Sequence, residues 1–298
     1  VRTLESTTTT TVSTRRRHRV PTSWLFLMPT MAVMTLLFFW PLWQAASMSV
    51  TDTTGAGSLT LDHYRRVLDD PRFGNSIWVS VRYTAGVVAG SLGVGIAVAL
   101  LLDRAMAGRA VLRALFIMPW AMPFVATALI WRWMLDSQYG IVTYLLGLLG
   151  FDDVPNAFNS ELALMTVSTI EIWKTFPLAA IMFLAGMQTV PREQYEAAAL
   201  DGAGAWRRFR YVTVPGLRHT TRVLTLLLTL WVFGRAFMVI FLTTGGGPAG
   251  NTETMVLLTY LQGFGQFDLN GAAALGMIVL AIASVLTVIY LRMARDEK

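Results

Sequence analysis

Cysteine is absent from the 298 residues, histidine occurs three times and lysine twice. Without cysteine there is no disulfide framework, thiolate nucleophile or thiolate metal site. His18, His63 and His219 fall in three separate polar segments, so no histidine metal site or proton relay is expected, and solvated surface histidines are the plainer reading. Neither Lys174 nor Lys298 follows a glycine loop, which excludes the G-x-x-x-x-G-K-[ST] phosphate cradle, and H-E-x-x-H and G-x-S-x-G are missing too. "GAGAWRR" (Gly202–Arg208) lacks the third glycine and the preceding strand of a dinucleotide turn. The chain is therefore expected to be no enzyme, with no catalytic residue, metal or cofactor of its own. Charge is scarce as well: 14% of residues are charged against 54% hydrophobic. With a mean hydropathy of +0.53, that balance marks a membrane protein and gives no reason to expect a nucleic-acid partner.

A spanning helix needs about 20 mostly apolar residues. Six segments qualify: Trp24–Val50, Ser76–Leu102, Val111–Leu135, Leu162–Met187, Val223–Leu242 and Ala272–Leu291. A seventh patch, Tyr139–Phe151, is too short to cross and reads as a helix at the interface or under a loop. Pro119 and Pro123 should kink the third span. The polar loops 51–75, 136–161, 188–222 and 243–271 are too short to hold a separate core. The expected fold is an all-α membrane protein of six transmembrane helices. Residues 1–23 form a disordered basic arm, 24–292 the six-span domain, and 293–298 a tail.

Basic residues mark the cytoplasmic side. Arg15, Arg16, Arg17 and Arg19 precede the first span, Arg104, Arg109 and Arg113 follow the second, and Arg192, Arg207, Arg208, Arg210, Arg218 and Arg222 follow the fourth. The alternate loops carry Asp136, Asp152, Asp153, Glu253 and Asp268. Both termini are expected inside, with the Thr-rich N-terminal arm near anionic lipid.

The loop after the fourth span contains "EAAALDGAGAWRRFRYVTVP" (Glu196–Pro215). Good helix formers run through Leu200, Ala197–Ala199 leave a smooth face for close approach, and Gly202 and Gly204 supply a turn. A second short helix then fits "AWRRFRYV", with Trp206, Phe209 and Tyr211 toward one side, and Pro215 ends it or opens the next helix. The plainer reading is an amphipathic loop whose arginines set topology. The spacing Glu196-Ala197-Ala198, three residues, Gly202, nine residues, Val212-x-Val214-Pro215 resembles the coupling loop of ABC importer permeases, E-A-A-x3-G-x9-I-x-L-P, with two valines replacing Ile and Leu. Leu61–Thr84, Ile172–Ala203 and Leu242–Leu275 also resemble that family, the last stretch its carbohydrate-uptake branch of the maltose and glycerol-phosphate type.

The resemblance implies that the loop at 188–222, between spans 4 and 5, forms coupling helices. Glu196, Ala197, Ala198, Asp201, Gly202 and Pro215 would meet a cytosolic P-loop ATPase dimer that carries the ATP and Mg. It implies two further partners, a second related permease and an extracytoplasmic solute-binding protein, with lipid around the bundle in a bacterial inner membrane. The solute would be a saccharide, polyol or sugar phosphate. A secondary transporter or channel independent of an ATPase is the alternative, although internal repeats and ion-coupling acids are scarce.

Charges at bilayer depth need partners or water. Arg82 and Arg132 lie close enough to span ends to anchor at the interface. Glu171 and Lys174, at i and i+3, are placed to neutralise each other or to contact solute. Arg235 sits well inside the fifth span, suited either to the solute path or to an ion pair between subunits. Trp120, Trp173, Trp231 and Phe237 could stack on sugar faces, though packing is the commoner use of such residues.

Overall fold

The computed structural model describes residues 22–52, 58–103, 108–150 and 156–295. The arm through residue 21 with its arginines and His18, and Arg104, Asp152, Asp153 and the end of the tail with Lys298, lie outside the described residues. Residues up to Gln44 form one compact unit and residues from Ala45 a second. In the first, α1 (Thr22–Met34) passes through a wide turn (Thr35–Phe39) into α2 (Trp40–Val50), whose last turns belong to the second unit. Side chains from Phe26 to Gln44 are all exposed, as suits an apolar helix whose backbone satisfies itself.

The second unit is organised by α4 (Pro71–Asp103) and α8 (Ala163–Met187). At about 1.5 Å per residue, the 33 residues of α4 extend about 50 Å. α3 (Asp62–Asp69) precedes it. α4 and α8 meet closely because a Cβ on Gly95 would stand 2.6 Å from the Ala179 Cβ, so any larger residue would push them apart. Ser91 and Thr175 then share a hydroxyl hydrogen bond of 2.6 Å across the seam, a common way to join helices in lipid. α12 (Arg218–Arg235) completes the core: Tyr83, Val87, Val167, Val232, Ala236, Ile240 and Leu257 form one buried cluster, and Ala99, Ala179, Phe183, Met187, Leu217 and Leu224 another.

Two expected spans are interrupted. The third consists of α5 (Arg109–Ala121) and α6 (Phe124–Met134), bent by 100°. The break falls where the prolines placed it. Met122 is extended before Pro123 at φ −71°, ψ 139°, because a residue preceding proline is driven out of the helical region and proline itself donates no bond. The fifth is divided at Ala236–Phe237 between α12 and α13 (Met238–Thr243), with no proline to announce it. There the Phe237 N–H donates to Arg235 O at 2.7 Å, and the Thr254 hydroxyl donates to the Ala236 carbonyl at 2.6 Å. A partner eighteen residues away thus satisfies the carbonyl that the break releases.

Among the described residues, four helices are long and apolar enough to cross a membrane, or five if the bent pair counts as one. They include the run Phe26–Val50, α4, α8 and α15 (Leu269–Arg295). α12 falls short because its ends are polar, from Arg218, His219 and Arg222 to Arg235. The patch after the third span forms α7 (Ile141–Leu148), which has no buried residue. The region 243–271, read from sequence as a polar loop, contains α14 (Met255–Tyr260) and a wide turn through Gly265. It buries Met255, Leu257 and Leu258; an apolar segment this short reads as loop by length although its side chains complete the core.

His63 also departs from expectation: it is buried at 1% exposure. Arg66 lies 3.0 Å from its Nδ1 and the Thr51 carbonyl 3.0 Å from its Nε2, so two protein partners replace water. His219 is exposed as expected.

Candidate functional sites: a charged pocket and a helical elbow

The breaks in the third and fifth segments border one cavity of about 220 Å³ between α5, α6, α8 and α12. Its lining includes Trp120, Phe124, Glu171, Lys174, Trp231 and Arg235. Helical spacing places Glu171, Lys174 and Thr175 on one face of α8, and Gly95 and Ser91 hold that helix against α4. Glu171 and Lys174 are 7% and 3% exposed, so their charges require compensation within the protein.

The compensation differs from the expected neutral pair. Glu171 and Lys174 are electrostatic neighbours but are not within 4 Å of each other. The Lys174 ammonium donates to the Met122 carbonyl and, at 3.5 Å, to that of Pro119, and lies 4.3 Å from the centre of the Phe124 ring. It thereby caps the carbonyls released where α5 ends, at the negative end of that helix. Glu171 is faced by Lys174, Arg235 and the buried Tyr83 hydroxyl. Arg235 is exposed and rests against two rings, 5.0 Å from the centre of Trp231 and 5.3 Å from that of Phe124.

Trp173 and Phe237 lie elsewhere. Trp173 points off the α8 face that carries Glu171 and packs edge to face on Trp131 at 5.5 Å. Phe237 stacks on Phe241 at 5.1 Å and Tyr260 at 4.8 Å, beside a separate apolar groove. Phe124 and Thr175 line the pocket and Tyr83 backs Glu171 from the core without a signal in the sequence, because each arrives by packing between helices. Of the two expected anchors, Arg82 lies over Trp78 at 5.6 Å and Arg132 donates to the Leu242 carbonyl at 3.0 Å.

The second site is the loop after α8. α9 (Arg192–Leu200) carries Glu196, Ala197 and Ala198 and buries none of its residues. Its end is a two-bond cap in which the Ala203 N–H reaches the Ala198 carbonyl at 2.9 Å and the Gly202 N–H reaches that of Ala199 at 3.0 Å. This closure requires a left-handed residue, and Gly202 supplies it at φ +73°. Asp201 is the residue before it, with its N–H on the Ala197 carbonyl at 3.0 Å. Gly204 is ordinary extended backbone at φ −66° and leads into α10 (Ala205–Arg208).

A wide turn (Phe209–Thr213) and α11 (Val214–Gly216), which contains Pro215, complete the return to α12. Tyr195 braces the elbow, its hydroxyl 3.1 Å from that of the buried Thr213. Outside the brace, Leu200, Trp206 and Tyr211 are 89%, 72% and 74% exposed. Asp103, the last residue of α4, lines the cavities beneath the elbow with Tyr195 and Thr213.

Residues 91–297 match the family described as binding-protein-dependent transport system inner membrane component. The chain belongs to that family. It is 32% identical over 278 residues to the sulfoquinovosyl glycerol transport system permease protein SmoG of Agrobacterium fabrum, covering 92% of this chain and 90% of the relative. To the trehalose/maltose transport system permease protein MalF of Thermococcus litoralis it is 31% identical over 280 residues, covering 92% and 94%. The fold is similar to a chain of a bacterial ABC transporter that imports the acidic polysaccharide alginate, with a TM-score of 0.82 at 20% identity over 93% of this chain and 96% of the other.

Proposed function

We propose that this chain is the transmembrane permease subunit of an ATP-driven importer, moving a saccharide, polyol or sugar phosphate inward by alternating access. A related second permease completes the path, and a solute-binding protein delivers cargo on the extracytoplasmic side. A cytosolic P-loop ATPase dimer holding ATP and Mg supplies the work. On this reading the chain crosses six times, counting the interrupted segments, and the basic arm at 1–23 and the tail at 293–298 would both be cytoplasmic.

The observation that carries this reading is the elbow: a helix with no buried residue, fixed by a glycine cap and a tyrosine brace, presenting Glu196–Ala198 and three exposed apolar side chains. Exposed apolar side chains on a rigid element favour a protein partner. The saccharide reading is supported by the transport systems named for the two relatives. Closure of the ATPase dimer would push α9 against α4 and α8, and the breaks at Met122–Pro123 and Ala236–Phe237 lie where those movements reach the pocket.

Affinity purification of the tagged chain in mild detergent, with and without Glu196→Lys, tests the proposal. A P-loop ATPase and a second permease should co-elute, and the substitution should remove the ATPase while retaining the permease. A chain that elutes alone in both forms would instead favour a transporter or channel independent of an ATPase.

A further inference from the structure

The charge count in the pocket does not close. Glu171 is the one acidic side chain in the pocket lining among the described residues, yet Lys174 and Arg235 both face it. Lys174 is already held by the Met122 and Pro119 carbonyls and the Phe124 ring. Arg235 has two aromatic faces and, among the described residues, no carboxylate within 4 Å. Each such face attracts the cation through the ring quadrupole and uses none of the five N–H donors of the guanidinium. One cation beyond the single acid therefore stands in a cavity walled by Trp120, Phe124 and Trp231, and among the described residues no carboxylate pairs with its planar donor fork.

We propose that the solute this pocket accepts is an anionic saccharide unit, its carboxylate, sulfonate or phosphate group paired with Arg235. This rests on the importer reading above and names the charge of its cargo. The guanidinium fork suits two parallel hydrogen bonds to such a group, while the indole faces suit the apolar side of a sugar ring. At about 220 Å³ the cavity is smaller than the roughly 300–1,000 Å³ that holds drug-sized ligands, so one ring at a time fits. Glu171 sets the limit on charge: with Lys174 it forms a balanced background, so a monoanion brings the site to neutrality and a neutral sugar leaves the excess cation in place.

The test is equilibrium binding to the assembled complex in nanodiscs, using radiolabelled glucuronate, glucose 6-phosphate and glucose 6-sulfonate against glucose, with inorganic phosphate as a sugar-free anion. At least one anionic sugar should bind tenfold or more tightly than glucose, and the three anions reveal which group the fork prefers. Arg235→Gln should abolish that preference, bringing the anionic sugars to the level of glucose. Arg235→Lys keeps the charge but loses the fork and should retain part of it, which covers the case in which the glutamine variant assembles poorly. Failure of all three anionic sugars to exceed glucose overturns the proposal, as does a preference that survives in Arg235→Gln. Inorganic phosphate binding as tightly as the sugar anions would overturn the saccharide part. Loss of the partner permease in Arg235→Gln and its retention in Arg235→Lys would assign Arg235 to an ion pair between subunits and overturn the proposal. A complex that retains its ATPase yet prefers glucose defeats this inference alone, whereas a chain that never associates with an ATPase defeats the importer reading itself.

Discussion

The pocket and the elbow solve opposite problems. In the pocket, ionic side chains lie where lipid-depth residues should be apolar: Glu171 and Lys174 are almost wholly buried. In the elbow, apolar side chains lie where surface residues should be polar: Leu200, Trp206 and Tyr211 are largely exposed. Each is unfavourable for the isolated chain and is balanced by a different means. Lys174 draws on main-chain carbonyls released by a broken helix and Glu171 is faced by cations and the Tyr83 hydroxyl, whereas the exposed apolar side chains have no such compensation within the elbow. A rule broken and compensated inside the chain marks internal machinery, whereas one left uncompensated marks a surface made for another molecule.

The largest effect should come from breaking the internal compensation. Lys174→Met leaves Glu171 beside one cation fewer and uncaps the Met122 and Pro119 carbonyls, so stability should fall by about 1–3 kcal/mol, the cost of leaving buried polar groups without their partner. Thermal unfolding in detergent measures this. Glu171→Gln combined with Lys174→Met should recover part of the loss, because no uncompensated carboxylate then remains. A single substitution without thermal effect would show that the cap is dispensable.

The elbow should respond in function more than in stability. Gly202→Asp places a side chain at φ +73°, a cost of about 1–2 kcal/mol, in a position where a Cβ meets no neighbour. Solute uptake should drop more than tenfold while the spans stay inserted. Gly204→Ala, at ordinary φ, should leave uptake within twofold. Equal effects from the two glycines, or undiminished uptake in Gly202→Asp, would remove the conformational argument. Next comes Tyr195→Phe, which deletes the bond to Thr213; at about 1 kcal/mol it should lower the solute moved per ATP hydrolysed several-fold and leave ATP turnover itself in place.

The smallest effect belongs to a pair outside both regions. The Arg72 side chain donates to Asp70, with a closest contact of 2.9 Å, and that hydrogen bond holds the Asp70 carboxyl below its ordinary value. A depressed carboxylate stabilises the fold above the unfolded pKa of about 3.9 and loses that contribution as pH falls through the folded value. Asp70→Asn should therefore unfold slightly earlier than the parent at pH 6, with the difference shrinking below about pH 4. Partial exposure of the pair keeps the shift small.

The contrast between the two regions also explains what could be read in advance. The elbow was legible because its information is local: the alanines and Gly202 act within a few residues of one another, Pro215 closes the same short loop, and the requirement for glycine follows from one dihedral angle. The charged residues of the pocket were legible as oddities, since Glu171, Lys174 and Arg235 interrupt apolar runs. Their partners were not, because Lys174 reaches carbonyls about 52 residues away and carbonyls carry no sequence signature. Pro123 announced the break in the third segment; the break at Ala236 depends on Thr254 and was silent. Trp173 and Phe237 had suitable chemistry, but one faces off the pocket side of α8 and the other belongs to a separate aromatic stack. Burial misled most at His63 and α14, where hydrophilic or short segments are enclosed by elements distant in sequence.

The claim on which the account turns is that the face of α9 meets an ATPase. The chain has no cysteine, so one introduced thiol reports one place. Ala197→Cys, on the exposed helix, and Leu61→Cys, 63% exposed near the other end of α4, would each be treated with a short bismaleimide in membranes containing the whole complex. The account predicts an adduct with the ATPase from Ala197→Cys, reduced or shifted when nucleotide closes the dimer, and none from Leu61→Cys. An Ala197→Cys chain that yields no such adduct in an intact complex, or a Leu61→Cys chain that yields it equally, would contradict the account.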